Sequence, residues 1–281
     1  LSYTGGLDYY LIPTTQIDPI TFSGECESFG GVIQTGSVFT AAVTGAGTFT
    51  GTSTPVDVAI GGTDSVGVTT TFTPSAVGTY DIVTYWGSDA AEDVTSNDSA
   101  YVTIEVTDDV YSRSNGILSS TFSFWGGEAD QQGAIGNAMD FFAPGVIGAA
   151  SVYLGADASV GDELVITIWK WDGSAYVLEA EVEHTVTGAD LESYTTVYLG
   201  ADEVDVVAGD NIIVMAGHYG FNMDIGMSQA TEQGTVIGTN AAGGFVNLID
   251  PGAVMIDLIM KSFVGTEELT ATSFEVGQNM P

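Results

Sequence analysis

The feature that most constrains this chain is a two-residue rhythm. In "SAYVTIEV", residues 99–106, Val102, Ile104 and Val106 fall on one side and Tyr101, Thr103 and Glu105 on the other. This is the pattern of a strand with one face in a core and one in water. Comparable runs recur near 20–28, 37–44, 65–73 and 78–86, with Gly, Pro, Ser and Asp between them, and helical periodicity is nearly absent. Short alternating strands punctuated by turn residues predict an all-β protein.

At 281 residues the chain is long enough for two cores. The strand number and turn spacing of residues 20–107 suit an immunoglobulin-like β-sandwich. Within it, Gly78 followed by Tyr80 at a strand start is either a tyrosine corner, with the phenol bonded to nearby backbone, or an ordinary strand aromatic. Residues 1–19 hold aromatics but also Pro13 and Pro19, and read as an extended N-terminal segment. "TDDVYSRSNG" (107–116) breaks the alternation and reads as a linker into a second domain over 108–264, leaving 265–281 as a tail. The second domain contains an echo: "VYLGADASVGDELVI" (152–166) and "VYLGADEVDVVAGDNIIV" (197–214) share Val-Tyr-Leu-Gly-Ala-Asp, then Gly-Asp, then an apolar run. A unit used twice in a domain of this size predicts a two-sheet jelly roll rather than a solenoid. "VITIWKWDGSAYVLEAEVEH" (165–184) reads as a hairpin turning at Asp172-Gly173.

Three cations (Arg113, Lys170, Lys261) face 37 carboxylates, for a formal charge of −34. Phosphate recognition needs clustered Lys and Arg, so nucleic acid is excluded as a partner, and anionic lipid is repelled. A hydrophobic content of 44% argues against disorder. The longest apolar run, residues 252–263, is too short to span a bilayer and carries Asp257 and Lys261. No membrane insertion is expected. Cys26 is the sole cysteine, so no intramolecular disulfide forms, and it reads as a small buried residue. Leu1 is an unusual start, and the chain reads as a mature or excised piece of a longer product.

No reaction is legible. The two histidines, His184 and His218, lie at strand ends, and neither Gly-x-Ser-x-Gly nor His-Glu-x-x-His is present. The chain is read as a non-enzyme without a cofactor. Calcium is the one metal the loops suit, because Asp108 and Asp109, with "GEADQQG" (127–133) and "GADEVD" (200–205), offer hard oxygen ligands; the competing reading is a solvated acidic loop. Trp169 and Trp171 share one strand face with Val165 and Thr167, opposite Leu164, Ile166, Ile168 and Lys170. That face is assigned to solvent, as a candidate glycan-binding surface, against the alternative that both rings are core. Asn97-Asp98-Ser99 fits the N-glycosylation pattern.

The last residues, "SFEVGQNMP", resemble the opening of the C-terminal sorting domain of type IX secretion cargo in Bacteroidota, Phe-x-Leu-x-Gln-Asn-x-Pro-Asn-Pro-Phe, of which the closing Asn-Pro-Phe has no counterpart in this sequence. Phe274, Val276, Gln278, Asn279 and Pro281 match in register, with Val in place of Leu. The resemblance implies export across the outer membrane to the cell surface or medium. In that setting Asp64-Ser65-Val66 and Asp98-Ser99-Ala100 resemble O-glycosylation acceptors, at Ser65 and Ser99. Through "FSGECESFGGVIQTGSVFTAAV" (22–43) and the closing "SNDSAYVTIEVTDDVYSR" (96–113), residues 20–107 resemble a bacterial adhesion-related Ig-like domain, whose usual Asn-x-Gly is altered at Ser28-Phe29-Gly30. Residues 110–264 resemble the jelly-roll module that often follows it. Neither resemblance brings catalytic residues. The expectation is a secreted structural protein with an adhesive role, self-associating through its termini into a filament or stalk; the competing reading of the termini is that each folds back onto its own domain. The alternative is a carbohydrate-binding accessory module.

Overall fold

The structure, a computed structural model, describes residues 9–29, 31–89, 98–124, 132–219, 223–229, 235–239, 244–248 and 252–261. It is an all-β protein, as the alternation predicts. The first domain contains β1 (Leu11–Pro13), β2 (Ser23–Glu27), β3 (Gln34–Gly45), β4 (Phe49–Thr52), β5 (Val56–Val58), β6 (Thr63–Gly67), β7 (Gly78–Gly87) and β8 (Ser99–Thr107). The second contains β9 (Val110–Tyr111), β10 (Leu118–Phe124), β11 (Gln132–Asp140), β12 (Gly145–Leu154), β13 (Glu163–Trp171), β14 (Tyr176–Thr185) and β15 (Ser193–Tyr198). It is completed by β16 (Val204–Val206), β17 (Asn211–Tyr219), β18 (Met223–Ser228), β19 (Val236–Thr239), β20 (Phe245–Asn247) and β21 (Ile256–Met260).

The main sheet of the first domain runs β1-β8-β7-β3-β4, with β5 also on β3, while β2 and β6 form a separate ribbon. On β7, Tyr80, Ile82, Thr84 and Trp86 are buried while Thr79, Asp81 and Tyr85 face water. On β8, Ile104 and Val106 point inward and Tyr101, Thr103 and Glu105 outward. Phe22, Phe39, Phe72 and Tyr80 fill the space between sheet and ribbon; fully burying an aromatic of this size stabilises by roughly 1.5–3 kcal/mol. Tyr80 forms the corner: its hydroxyl donates to Ala76 O (2.8 Å) and accepts from the amides of Ser75 (3.3 Å) and Ala76 (3.0 Å).

Two strand boundaries differ from the sequence pattern. The run at 65–73 is a strand only to Gly67, after which a single bridge ties Phe72 to Ile20. β4 (Phe-Thr-Gly-Thr) and β5 (Val-Asp-Val) are only four and three residues long, too short to carry a hydrophobic rhythm of their own.

In the second domain one sheet is β14-β13-β17-β11-β19-β20 and the other β10-β18-β12-β21-β9, with β15 and β16 also on β12. Their inner faces share one core containing Ile135, Ile147, Val152, Leu164, Ile166, Val214 and Ile256. The internal echo is a crossing between these sheets used twice. Its first copy leads from β12 to β13, and its second from β15 through β16 to β17. The starting strands pair with each other in one sheet and the ending strands pair in the other. In both copies the Gly-Asp precedes the second strand, with Gly161 at φ 93° and Gly209 at φ 90°, a left-handed region that favours glycine. The β13–β14 hairpin turns where expected, the Asp172 carboxylate accepting from the amides of Ser174 (2.7 Å) and Ala175 (2.8 Å).

Candidate functional site

The segments read as an extended lead-in and a linker are packed into a joint between the domains, and from Tyr9 onward the lead-in folds back onto its own chain. β1 pairs parallel to β8, Leu11 opposite Glu105 and Pro13 opposite Thr107. Pro13 is tolerated because an edge strand need not donate on both sides. β9 joins the second domain's sheet, Tyr111 opposite Leu258 and Val110 opposite Ile259, and Ser112, Arg113 and Ser114 are buried. The alternation breaks over 107–116 because these residues change sheets, not because the chain is free.

Arg113, the chain's one arginine, is 2% exposed at the centre of this joint. Its Nε donates to Ala138 O (2.5 Å), and its Nη2 donates to the Tyr9 hydroxyl (3.1 Å) and reaches Asp140 Oδ2 at 3.5 Å. The guanidinium also lies 4.4 Å from the Tyr9 ring centroid. Tyr9 stacks on Tyr111 with centroids 4.3 Å apart. The Tyr9 hydroxyl accepts from Asp140 N (2.7 Å), and Tyr111 donates to Asp140 O (2.8 Å). Burial pushes both phenols above their ordinary pKa. Gln16 adds a second tie, its Oε1 accepting from the amides of Phe142 (2.9 Å) and Ala143 (3.2 Å) while its Nε2 donates to Ala143 O (2.9 Å). The Asp140 side chain is 54% exposed, so the hydrogen bonds to uncharged oxygens and the ring contact hold Arg113 more than the ion pair does.

Asp140 also leads outward. Its Oδ1 accepts from Asn211 Nδ2 (2.7 Å), and Asn211 Oδ1 accepts from Tyr176. Tyr176 packs edge-on against Trp171 (5.1 Å) and Phe245 (5.6 Å), and Phe245 packs edge-on against Trp169 (5.2 Å). These four rings form a platform on the outer face of the β13 sheet, close to the joint. The assignment of the whole tryptophan face to solvent is corrected here. Val165 and Thr167 on that face are buried, Trp169 is half-buried over Ile213, Met215 and Ile237, and Trp171 is 43% exposed. β13 is apolar on both sides because it is covered on both sides. Trp86 lies in the first domain's core, and Trp125 lies outside the described residues.

The other candidates stand apart from this site. Asp108 is exposed and Asp109 half-buried in the turn between β8 and β9, which the Thr107 hydroxyl pins through Val110 N (2.9 Å) and O (2.7 Å). Among the described residues no three His, Cys, Asp or Glu side chains gather as metal ligands. Residues 127–131 of the second acidic loop lie outside the described residues. Ser65 is exposed, its hydroxyl donating to Glu25 (3.2 Å), and Ser99 is half-buried opposite Tyr85. His184 contacts Asp190 at 3.2 Å. Against the effect of burial, hydrogen bonds from the Thr187 hydroxyl and amide, His184 and Thr195 hold the Asp190 carboxyl down to about 2. His218 is buried on β17, and burial lowers its pKa against the opposing charge of Asp162. Phe274, Val276, Gln278, Asn279 and Pro281 lie outside the described residues.

Sequence reasoning missed Tyr9, Gln16, Asp140, Asn211 and Phe245. The available signal was a lone arginine two residues from a tyrosine in a chain of charge −34. A guanidinium in so acidic a chain has many carboxylates to pair with in solution, so its place between two aromatic segments was informative.

No protein-family model matches the chain, and no curated protein matches it.

Proposed function

We propose that this chain is a non-enzymatic module of a secreted or cell-surface assembly, acting as a stiff structural unit with an adhesive role. The observation that supports the reading is the joint. Two sandwiches connected by a flexible linker would reorient freely. Here the connection itself is buried, aromatic and hydrogen-bonded, and one continuous core includes Tyr9, Ile12, Tyr111 and Phe141 from both sides of it. A stalk or filament subunit needs that stiffness, whereas a tethered accessory module does not. The export reading rests on the resemblance of residues 274–281 to a sorting-domain entry.

The stiffness is tested by 15N relaxation and small-angle scattering: both domains should share one rotational correlation time, and two distinct times would sink the reading. Self-association is tested separately, by negative-stain microscopy of the full chain at high salt. Because residues 9–16 belong to the joint, deleting 1–8 is a cleaner probe of the N-terminus than deleting 1–19. An all-monomeric full chain would remove the filament reading.

A second reading has its own observation. Exposed Trp171 beside half-buried Trp169, with Asn211 and Asp140 at the rim, is chemistry that suits a sugar ring. Glycan-array binding lost in both Trp169→Ala and Trp171→Ala would favour it.

A further inference from the structure

Beside the joint, the outer side of β8 and the start of the second domain enclose a groove of about 430 Å³. Its lining includes Tyr101 and Glu105 from β8, Tyr10 from the N-terminal segment, and Asn115, Ile117 and Gln229 from the second domain. Tyr101 is 76% exposed and Ile117 is 62% exposed. We propose that this groove binds a neutral oligosaccharide. The proposal rests on the adhesive reading and gives it a ligand class.

Size, lining and charge each narrow the ligand. The volume falls within the roughly 300–1,000 Å³ of small-molecule sites and accommodates on the order of two sugar rings. A pyranose presents an apolar C–H face and a rim of hydroxyls. Tyr101, with Tyr10 and Ile117 nearby, supplies flat apolar surface for the first. The amides of Asn115 and Gln229 and the carboxylate of Glu105 supply donors and acceptors for the second. Asn115 Oδ1 already accepts from Ile117 N (3.0 Å), which fixes its plane and leaves its NH2 to donate. No Lys, Arg or His lines the groove among the described residues. Glu105 and a chain charge of −34 therefore repel uronates, sulfated sugars and phosphates. The two walls come from different domains, and the Arg113 joint fixes their separation, so little ordering free energy is lost on binding.

The test uses the whole chain, titrated with cellohexaose, mannohexaose, xylohexaose, chitohexaose and oligogalacturonate by saturation-transfer NMR and calorimetry. At least one neutral sugar should bind with a Kd on the order of 0.1–1 mM. Tyr101→Ala and Ile117→Ser, both at exposed positions, should each weaken it roughly tenfold or more with unchanged circular dichroism. Oligogalacturonate should not bind, and Trp171→Ala should bind as wild type. Absence of any neutral-sugar binding overturns the proposal. So does binding that survives both groove variants, binding lost only in Trp171→Ala, or capture of a Lys-rich decapeptide in place of sugars. The relaxation data above are independent of these outcomes, so a stiff protein that ignores every sugar would refute the groove and leave the structural reading standing.

Discussion

The joint and the platform are built from the same kinds of side chain, and they differ in what water can reach. In the joint, Tyr9, Tyr111 and Phe141 are buried around a guanidinium whose donors find backbone and phenol oxygens. On the platform, Tyr176, Trp169, Trp171 and Phe245 keep part of each contact open to solvent or at a sheet edge. Asp140 serves both, through its main chain and Oδ2 inward and through Oδ1 outward to Asn211. Enclosure turns aromatic and amide chemistry into cement; partial exposure leaves it free to meet a ligand.

The largest effect should come from breaking the enclosed side. Arg113→Ala removes the donors to Ala138 O and Tyr9 and leaves a void, and should cost about 3 kcal/mol in chemical denaturation. It should also split the single rotational correlation time into two. Arg113→Lys should recover little, because one ammonium cannot replace a planar fork. A loss below about 0.5 kcal/mol would mean that the joint is not held by Arg113.

A buried charge without such compensation provides the contrast. Asp257 is buried on β21, one of its carboxylate oxygens has no partner among the described residues, and the hydroxyl of Ser112 donates to it. Burial, only partly opposed by that hydroxyl, pushes its pKa up from 3.8 to about 6. The folded state therefore holds this proton more tightly than the unfolded chain. The resulting penalty is absent below about pH 4, grows as pH rises through about 6, and is full at neutral pH. Asp257→Asn should stabilise the protein by about 2 kcal/mol at pH 7 and by little at pH 4. An equal effect at both pH values would contradict the assignment.

Within the first domain, Tyr80→Phe leaves the amides of Ser75 and Ala76 without their acceptor and should cost about 1–2 kcal/mol. The joint should be unaffected, with the common correlation time retained. Smallest is Trp171→Ala, at about 1 kcal/mol or less, because nearly half of that ring is already in water. A loss as large as that of Arg113→Ala would erase the distinction between cement and platform.

The parts of the fold legible in sequence were those with long local rhythm. β7, β8 and the β13–β14 hairpin announce themselves through residues such as Ile82, Ile104 and Asp172-Gly173, and Gly78 with Tyr80 pointed to the corner. The duplicated Gly-Asp crossing was visible as a repeat, although not that its copies lie side by side. What escaped depends on contacts distant in sequence. Tyr9 meets Asp140 across 131 residues and Gln16 meets Ala143 across 127, and no window along the chain displays such a pair. β13 was misread for a related reason. Alternation says which residues share a face, but whether that face is covered depends on contacts such as that of Phe245 with Trp169, from far downstream.

The parallel pairing of β1 with β8 has a mechanical consequence. Tension on the chain ahead of Tyr9, resisted at the second domain, pulls β1 along β8 rather than away from it. The hydrogen bonds between Leu11–Pro13 and Glu105–Thr107 are then loaded together, in shear, instead of opening one after another. Tyr9 and Gln16 flank that short strand and are both fastened to the second domain. Pulling force thus has a route that bypasses the first domain's core, and the first sandwich is shielded from unfolding until the clasp around Arg113 gives way.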